Sequence, residues 1–136
     1  MRFLYALILF FLLGMVLPVQ AAVVEVNNTE LRELVSRNVP IVDIRRAEEW
    51  MQTGIVKGSH MLTFFDAKGN YDARGWLAQL ATIVGKEEPF ILICRTGRRT
   101  GLVSKFLDQQ VGFKQVYNVT KGIRFWIDKG NPTVAP

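Results

Sequence analysis

The chain has 136 residues, and its 17 Lys or Arg residues against 12 Asp or Glu residues give a formal net charge of +5. This length accommodates one ordinary domain. The single Cys excludes an internal disulfide, and one Cys with one His cannot supply the ligands of a zinc site. The positive charges form no basic stripe with interleaved aromatic residues, so we expect no nucleic-acid partner.

The first 21 residues have the pattern of a secretory signal peptide. Arg2 supplies the positive start, residues 3–17 are almost continuously apolar, and the segment ends in a small residue, Ala21, as cleavage requires. We expect residues 1–21 to be removed on export, leaving residues 22–136 as one periplasmic domain with no stable membrane association. The alternative is a retained anchor, because the apolar run is close to the shortest span of a bilayer, roughly 17 residues.

Apolar periodicity predicts that strands and helices alternate in the rest of the chain. The predicted elements, in chain order, are a strand at 23–26, a helix at 31–37 preceded by capping residues at 27–30, a strand at 41–45, a helix at 47–52, a strand at 60–63, a helix at 71–84, a strand at 90–94, a helix at 100–110, a strand at 115–119 and a helix at 122–128. This alternation predicts an α/β fold with a central, mostly parallel β-sheet flanked by helices on both faces. In the helix at 100–110, the side chains expected to face the core are Leu102, Val103, Phe106 and Leu107.

Cys94 ends the most hydrophobic predicted strand, and a short loop and a helix follow it. Ligands of open α/β sheets bind beyond the carboxyl ends of the strands. The N–H groups of a loop at a helix N-terminus form a cradle that holds anions and stabilises a thiolate. Gly97 permits a positive φ or a close backbone approach within that loop. A buried structural cysteine is the alternative, but the surrounding charge favours a nucleophile.

Five other residues of this segment add hydrogen-bond donors and positive charge. Thr96 and Thr100 can donate hydroxyl hydrogen bonds. The guanidinium groups are those of Arg95, Arg98 and Arg99, and so short a loop cannot direct all three inward. These residue types indicate a site for a small anion beside a reactive thiol.

The segment from Cys94 to Thr100 resembles the active-site loop of rhodanese-domain sulfurtransferases. Residues 41–45, 48–59 and 112–126 resemble the other blocks of that family in the right order, so the resemblance covers nearly all of the chain after the signal peptide. It implies a rhodanese-like fold and no metal or organic cofactor. It also implies catalysis by Cys94 and substrate binding by the residues Arg95, Thr96, Gly97, Arg98, Arg99 and Thr100.

The resemblance further implies a double displacement. Cys94 takes a sulfur atom from an anionic donor such as thiosulfate and becomes a persulfide, and an acceptor then removes that sulfur. The acceptor is cyanide in an assay or a thiol in the cell, including the thiol of a protein. Arg99, beside the expected helix start, is our first choice for the arginine that contacts the donor.

The sequence departs from the family pattern in the block at 48–59. Ile55 stands where the family usually has His, and Lys57 replaces a common Pro. We expect His60, a few residues later, to be structural, because a preformed thiolate needs no imidazole base. Asp43 and Arg45 are interpreted as strand-end groups near the surface that fix neighbouring loops by hydrogen bonds or an ion pair.

Two other functions stay open. A related phosphatase or arsenate reductase would have five residues between the Cys and the Arg of its loop, whereas four separate Cys94 from Arg99 and make a smaller cradle. A binding module or persulfide carrier would use the same cysteine. Exposed apolar surface next to the loop would support a protein acceptor.

Overall fold

The computed structural model describes residues 22–136, so the signal peptide predicted at 1–21 lies outside the described residues. Strands and helices alternate along the described chain, as predicted. In chain order they are β1 (Val23–Val26), α1 (Asn28–Ser36), β2 (Ile41–Asp43), α2 (Ala47–Thr53), β3 (His60–Met61), α3 (Ala73–Leu80), β4 (Phe90–Ile93), α4 (Arg98–Phe106) with a π-helical continuation (Leu107–Val111), β5 (Val116–Val119) and α5 (Gly122–Asp128).

The five strands form one sheet in the order β1-β5-β4-β2-β3, and every pair of neighbouring strands is parallel. β4 lies at the centre, and all four of its residues are buried, as expected for a parallel strand covered on both faces. Helix α2 joins β2 to the edge strand β3, whereas α4 joins β4 to β5 on the other side of the sheet. The carboxyl ends of β4 and β2 therefore border the crevice in which ligands of such sheets bind.

The two faces of the sheet contribute to two hydrophobic clusters, so the predicted α/β architecture is confirmed. Alternate residues of the central strand point to opposite faces: Leu92 packs in the cluster with α3 and α4, whereas Ile91 and Ile93 pack in the cluster with α1 and α5. Trp76 anchors α3 to the segment that directly follows β3, because its indole N–H donates a hydrogen bond of 2.9 Å to the Leu62 carbonyl.

The helix predicted at 31–37 begins earlier, at Asn28, because its first turn is closed by a capping box. The Asn27 side chain accepts a hydrogen bond of 2.9 Å from the Glu30 N–H, and the Glu30 carboxylate accepts one of 3.1 Å from the Asn27 N–H. This reciprocal pair satisfies N–H groups that otherwise lack a helical partner.

Helix α4 differs from its prediction in its start and in its orientation. It begins at Arg98 rather than at residue 100, and Leu102, expected in the core, is 58% exposed. The buried stripe of α4 consists of Thr100, Val103 and Ser104. Because successive helical residues are 100° apart, Leu102 lies on the outer side of a helix whose Thr100 faces inward.

None of the helices that the structure describes between residues 22 and 136 is long and apolar enough to cross a membrane.

Candidate active site

Cys94 directly follows β4 at the crevice between β4 and β2, and it is only 1% exposed. Its Sγ accepts a hydrogen bond of 3.2 Å from the Gly97 N–H and lies 3.4 Å from Oγ1 of Thr100. The Thr100 hydroxyl also lies within 3.3 Å of the Gly97 carbonyl, to which it can donate. The sulfur is therefore contacted at the start of α4 by a backbone donor and by a hydroxyl that can either donate to it or accept from it.

Gly97 has a φ of 92°, in the left-handed region that favours glycine. A Cβ at this position would overlap the carbonyl oxygen of Thr120, which directly follows β5. The turn that directs the Gly97 N–H at the sulfur therefore needs glycine for both its φ and its space. This agrees with the role that the sequence analysis gave to Gly97.

Helix α5 fixes the cysteine loop from the opposite side. The Ile123 N–H donates a hydrogen bond of 2.9 Å to the carbonyl of Cys94, and the Arg124 N–H donates one of 3.1 Å to the carbonyl of Arg95. These are N–H groups of the first turn of α5, which have no partner inside the helix. The last sequence block of the chain thus serves to hold the loop in place.

The three arginines of the loop have different environments. Arg95 and Arg98 are exposed, as is Thr96, whereas Arg99 is half-buried and binds Glu49 of α2. Its guanidinium donates to both carboxylate oxygens, at 2.8 and 2.6 Å. Donor binding by Arg99 stays a prediction. The guanidinium of Arg99 already has a protein partner, whereas Arg95 and Arg98 are the exposed arginines of the loop.

Glu49 is the residue of this site that the sequence reasoning missed. It is 9% exposed, and its carboxylate also accepts a hydrogen bond of 3.0 Å from the Arg46 N–H. Burial by itself would raise the pKa of Glu49, but the hydrogen bonds from Arg99 and from the Arg46 N–H outweigh burial and lower the pKa to about 2. The same contact raises the pKa of Arg99. An acid in the first turn of α2 was visible in the sequence, but its partner was not.

Asp43 and Arg45 form the predicted ion pair, but it lies deeper than expected. Both side chains are 0% exposed, and Nη2 of Arg45 lies 2.8 Å from the Asp43 carboxylate. The same guanidinium donates to the hydroxyl of Thr53 at 2.8 Å and to the carbonyl of Gly54 at 3.0 Å. The expectation of a pair near the surface is wrong, because α2 and the turn after it cover the end of β2. The pair ties that turn to the central sheet.

The residues that depart from the family pattern differ in burial. Ile55 is buried and forms an antiparallel bridge with Val134, and Lys57 is exposed. His60 is exposed on β3, where its register partner is Val42 of β2, so β2 separates it from β4. Because His60 is exposed, any structural role that it has does not come from packing in the core. No group of three or more potential metal-ligating side chains occurs within residues 22–136.

The fold and the site define a class: a parallel α/β protein whose nucleophile candidate follows the central strand at the start of a helix. The particular family follows from the sequence. The family model described as "Rhodanese-like domain" matches residues 27–129. The chain therefore belongs to the rhodanese-like domain family, and the resemblance stated above is confirmed.

Several relatives and solved structures are similar to the chain. YtwF of Bacillus subtilis, named as a candidate sulfurtransferase, is 27% identical in an alignment of 110 residues, and the match covers 79% of this chain and 94% of that protein. A rhodanese-related protein of Thermoplasma volcanium is 23% identical, with a TM-score of 0.62 over 82% of this chain and 98% of the other. The polysulfide-sulfur transferase of Wolinella succinogenes, solved as a homodimer, is 23% identical, with a TM-score of 0.64 over 83% and 79%. At these identities, the structures show a shared fold.

Proposed function

We propose that this protein is a sulfurtransferase that carries sulfane sulfur as a persulfide on Cys94. Membership of the rhodanese-like domain family and the name of the Bacillus relative support sulfur transfer in general. The observation that carries the proposal is the environment of the Cys94 Sγ, which the Gly97 N–H and the Thr100 hydroxyl contact at the start of a helix. Both contacts suit a sulfur atom that bears negative charge.

Loading is a displacement at sulfur. The Cys94 thiolate attacks the outer sulfur of thiosulfate, a new S–S bond forms, and sulfite leaves with the electron pair of the broken S–S bond. Arg95 and Arg98 are exposed beside the thiol and would attract such an anionic donor. The Gly97 N–H and the Thr100 hydroxyl would then bind the resulting persulfide.

Unloading reverses the roles. Cyanide or a thiolate attacks the outer sulfur, takes it away, and leaves the electron pair on Sγ as the free Cys94 thiolate. Neither step requires an external oxidant or reductant, so the proposed cycle needs no metal or organic cofactor. A carrier that hands the sulfur to a protein thiol would use the same persulfide.

The phosphatase alternative receives less support from the geometry. The guanidinium of Arg99, the arginine nearest in position to that of a phosphate-binding loop, donates to both carboxylate oxygens of Glu49. The helix also begins at Arg98, so only residues 95–97 form the loop. Such a short loop suits a sulfur atom better than a tetrahedral phosphate.

Mass spectrometry tests the proposed cycle. The protein is incubated with thiosulfate and then with cyanide, next to the variant Cys94→Ser. We expect the mass of one sulfur atom to appear on Cys94 with thiosulfate and to disappear with cyanide, and the serine variant to gain nothing. A protein with a demonstrably free thiol that forms no adduct would overturn the thiosulfate proposal.

The periplasmic location is a separate proposal, supported by the signal pattern of residues 1–21. Expression of the full chain in a Gram-negative host, followed by fractionation, tests it. We expect a periplasmic protein whose N-terminus is Ala22. A full-length chain in the membrane fraction would instead support the retained anchor.

A further inference from the structure

An apolar groove lies between α4 and the segment that joins β3 to α3. It has a volume of about 320 Å³, and its main lining residues are Phe64, Phe65, Tyr71, Leu102, Val103 and Phe106. We call it the Leu102 groove. Two of its lining side chains are largely exposed to solvent: Leu102 is 58% exposed and Tyr71 is 62% exposed. Large apolar side chains at this exposure, side by side, are typical of a binding surface.

The Leu102 groove begins next to the cysteine loop. Leu102 follows Arg98 by four residues in α4, which places the two side chains one helical turn apart on the same side of the helix. Both also line a second, more polar depression along α4. The floor of the groove, which includes Phe64 and Val103, belongs to the same buried cluster as Cys94.

Positive charge lies in the cysteine loop and at the start of α4, one helical turn from Leu102. Arg95 and Arg98 are exposed. Within residues 22–136, neither of these two guanidinium groups lies within ion-pair distance of a carboxylate. An occupant that complements this surface has an apolar side chain for the groove and a carboxylate for the arginines.

We propose that the Leu102 groove binds an apolar side chain of a protein thiol acceptor that carries a carboxylate beside its cysteine. The proposal rests on the proposed function, because it names the substrate of the unloading step. The acceptor thiolate attacks the outer sulfur of the Cys94 persulfide, an S–S bond forms on the acceptor, and the electron pair returns to the Cys94 Sγ. A small thiol undergoes the same reaction but cannot reach the groove.

Three capped peptides test this specificity. The first is Gly-Asp-Cys-Gly-Leu-Gly, in which Leu stands two residues after Cys. That spacing is about 6.6 Å in an extended chain and puts the two side chains on the same side of the peptide. The second peptide has Ala for Leu, and the third has Asn for Asp. The measured quantity is kcat/KM for unloading of the pre-formed persulfide, with 2-mercaptoethanol as the small-thiol reference.

We expect kcat/KM of the Leu peptide to exceed that of the Ala peptide about tenfold, a gain that burial of a large apolar side chain can supply. The Asn peptide should be slower than its Asp parent. Leu102→Ala should abolish the preference for Leu and leave the rate with 2-mercaptoethanol unchanged. Met51→Ala is the matched control, because Met51 is a large apolar residue that is 75% exposed on α2. It should leave the preference intact.

Equal rates for the Leu and Ala peptides, or a preference that survives Leu102→Ala, would overturn the proposal. Failure of the protein to load with thiosulfate would instead count against the proposed function. The groove is then tested by binding alone, with peptides that have Ser in place of Cys, in an isothermal titration. Tighter binding of the Leu peptide that is lost in Leu102→Ala would support the groove, and equal binding would refute it.

Discussion

The carboxylate of Glu49 and the guanidinium of Arg99, fifty residues apart in the chain, form an ion pair with two hydrogen bonds of 2.6 and 2.8 Å. Glu49 lies in the first turn of α2, and Arg99 lies in the first turn of α4. The pair therefore connects the first turns of α2 and α4 beside the candidate active site. It also gives one of the three loop arginines a carboxylate partner.

Removal of the Glu49 charge is expected to destabilise the fold. In Glu49→Gln, the half-buried Arg99 loses its partner, and we expect the free energy of unfolding to fall by about 1–3 kcal/mol, the range for a buried polar group left without its partner. Urea unfolding at neutral pH measures this change. Glu48→Gln is the control, because Glu48 pairs with Arg46 at the surface. We expect its stability to equal that of the wild type, and equal losses in both variants would contradict a special role for Glu49.

The contribution of Glu49 is expected to depend on pH. Its pKa of about 2 lies below the ordinary value of 4.5. A carboxyl whose pKa is lower in the folded chain stabilises the fold fully above its ordinary pKa, and this contribution is lost as the pH falls from there towards the folded value. The difference in unfolding free energy between the wild type and Glu49→Gln should therefore be constant near neutral pH and shrink between pH 4.5 and 2. A difference that grows on acidification would have the wrong sign.

Substitutions at two glycines distinguish the cost of a strained φ from the cost of a steric overlap. Gly97 and Gly112 have nearly the same φ, 92° and 91°, but a Cβ would overlap Thr120 only at Gly97, whereas it would have nothing within 4 Å at Gly112. We expect Gly112→Ala to cost about 1–2 kcal/mol of stability and to load sulfur normally. Gly97→Ala should also displace the loop and slow persulfide formation by about 100-fold. Single-turnover loading with thiosulfate measures this, and equal loading by both variants would show that the loop tolerates a Cβ.

The hydroxyl of Thr100 is expected to contribute directly to loading. It is buried and lies 3.4 Å from the Cys94 Sγ. Thr100→Val removes the hydroxyl with little change of shape, and we expect loading to slow by about 10-fold to 100-fold, as when a donor to developing charge is removed. Thr100→Ser should restore most of the rate. If the valine variant loads as fast as the wild type, the hydroxyl has only a structural role.

The sequence predicted where the candidate site lies in the fold, but it did not predict which charged side chains pair there. Cys94 could be placed at the end of a buried strand and before a helix because hydrophobic runs and glycines are local signals. The ion pair of Asp43 and Arg45 was also foreseen. Its complete burial was not, because burial depends on how α2 packs over the end of β2.

The partner of Arg99 and the exposure of Leu102 could not be predicted from neighbouring residues in the chain. The sequence did not indicate which of the three loop arginines would be half-buried. Arg99 is, because it binds Glu49, which lies fifty residues away in the chain. Leu102 is as apolar as its core neighbours, and its exposure depends on which side of α4 packs inward, a side that consists of Thr100, Val103 and Ser104.

The sequence by itself determined the order of strands and helices, the α/β class, the family and the position of the nucleophile candidate. Each of these depends on residues that are neighbours in the chain, through periodicity, caps and the loop motif. The tertiary structure decided which charges meet, how deeply they are buried and which apolar side chains face solvent. Those properties depend on strand register and helix packing, which bring together residues from distant parts of the chain.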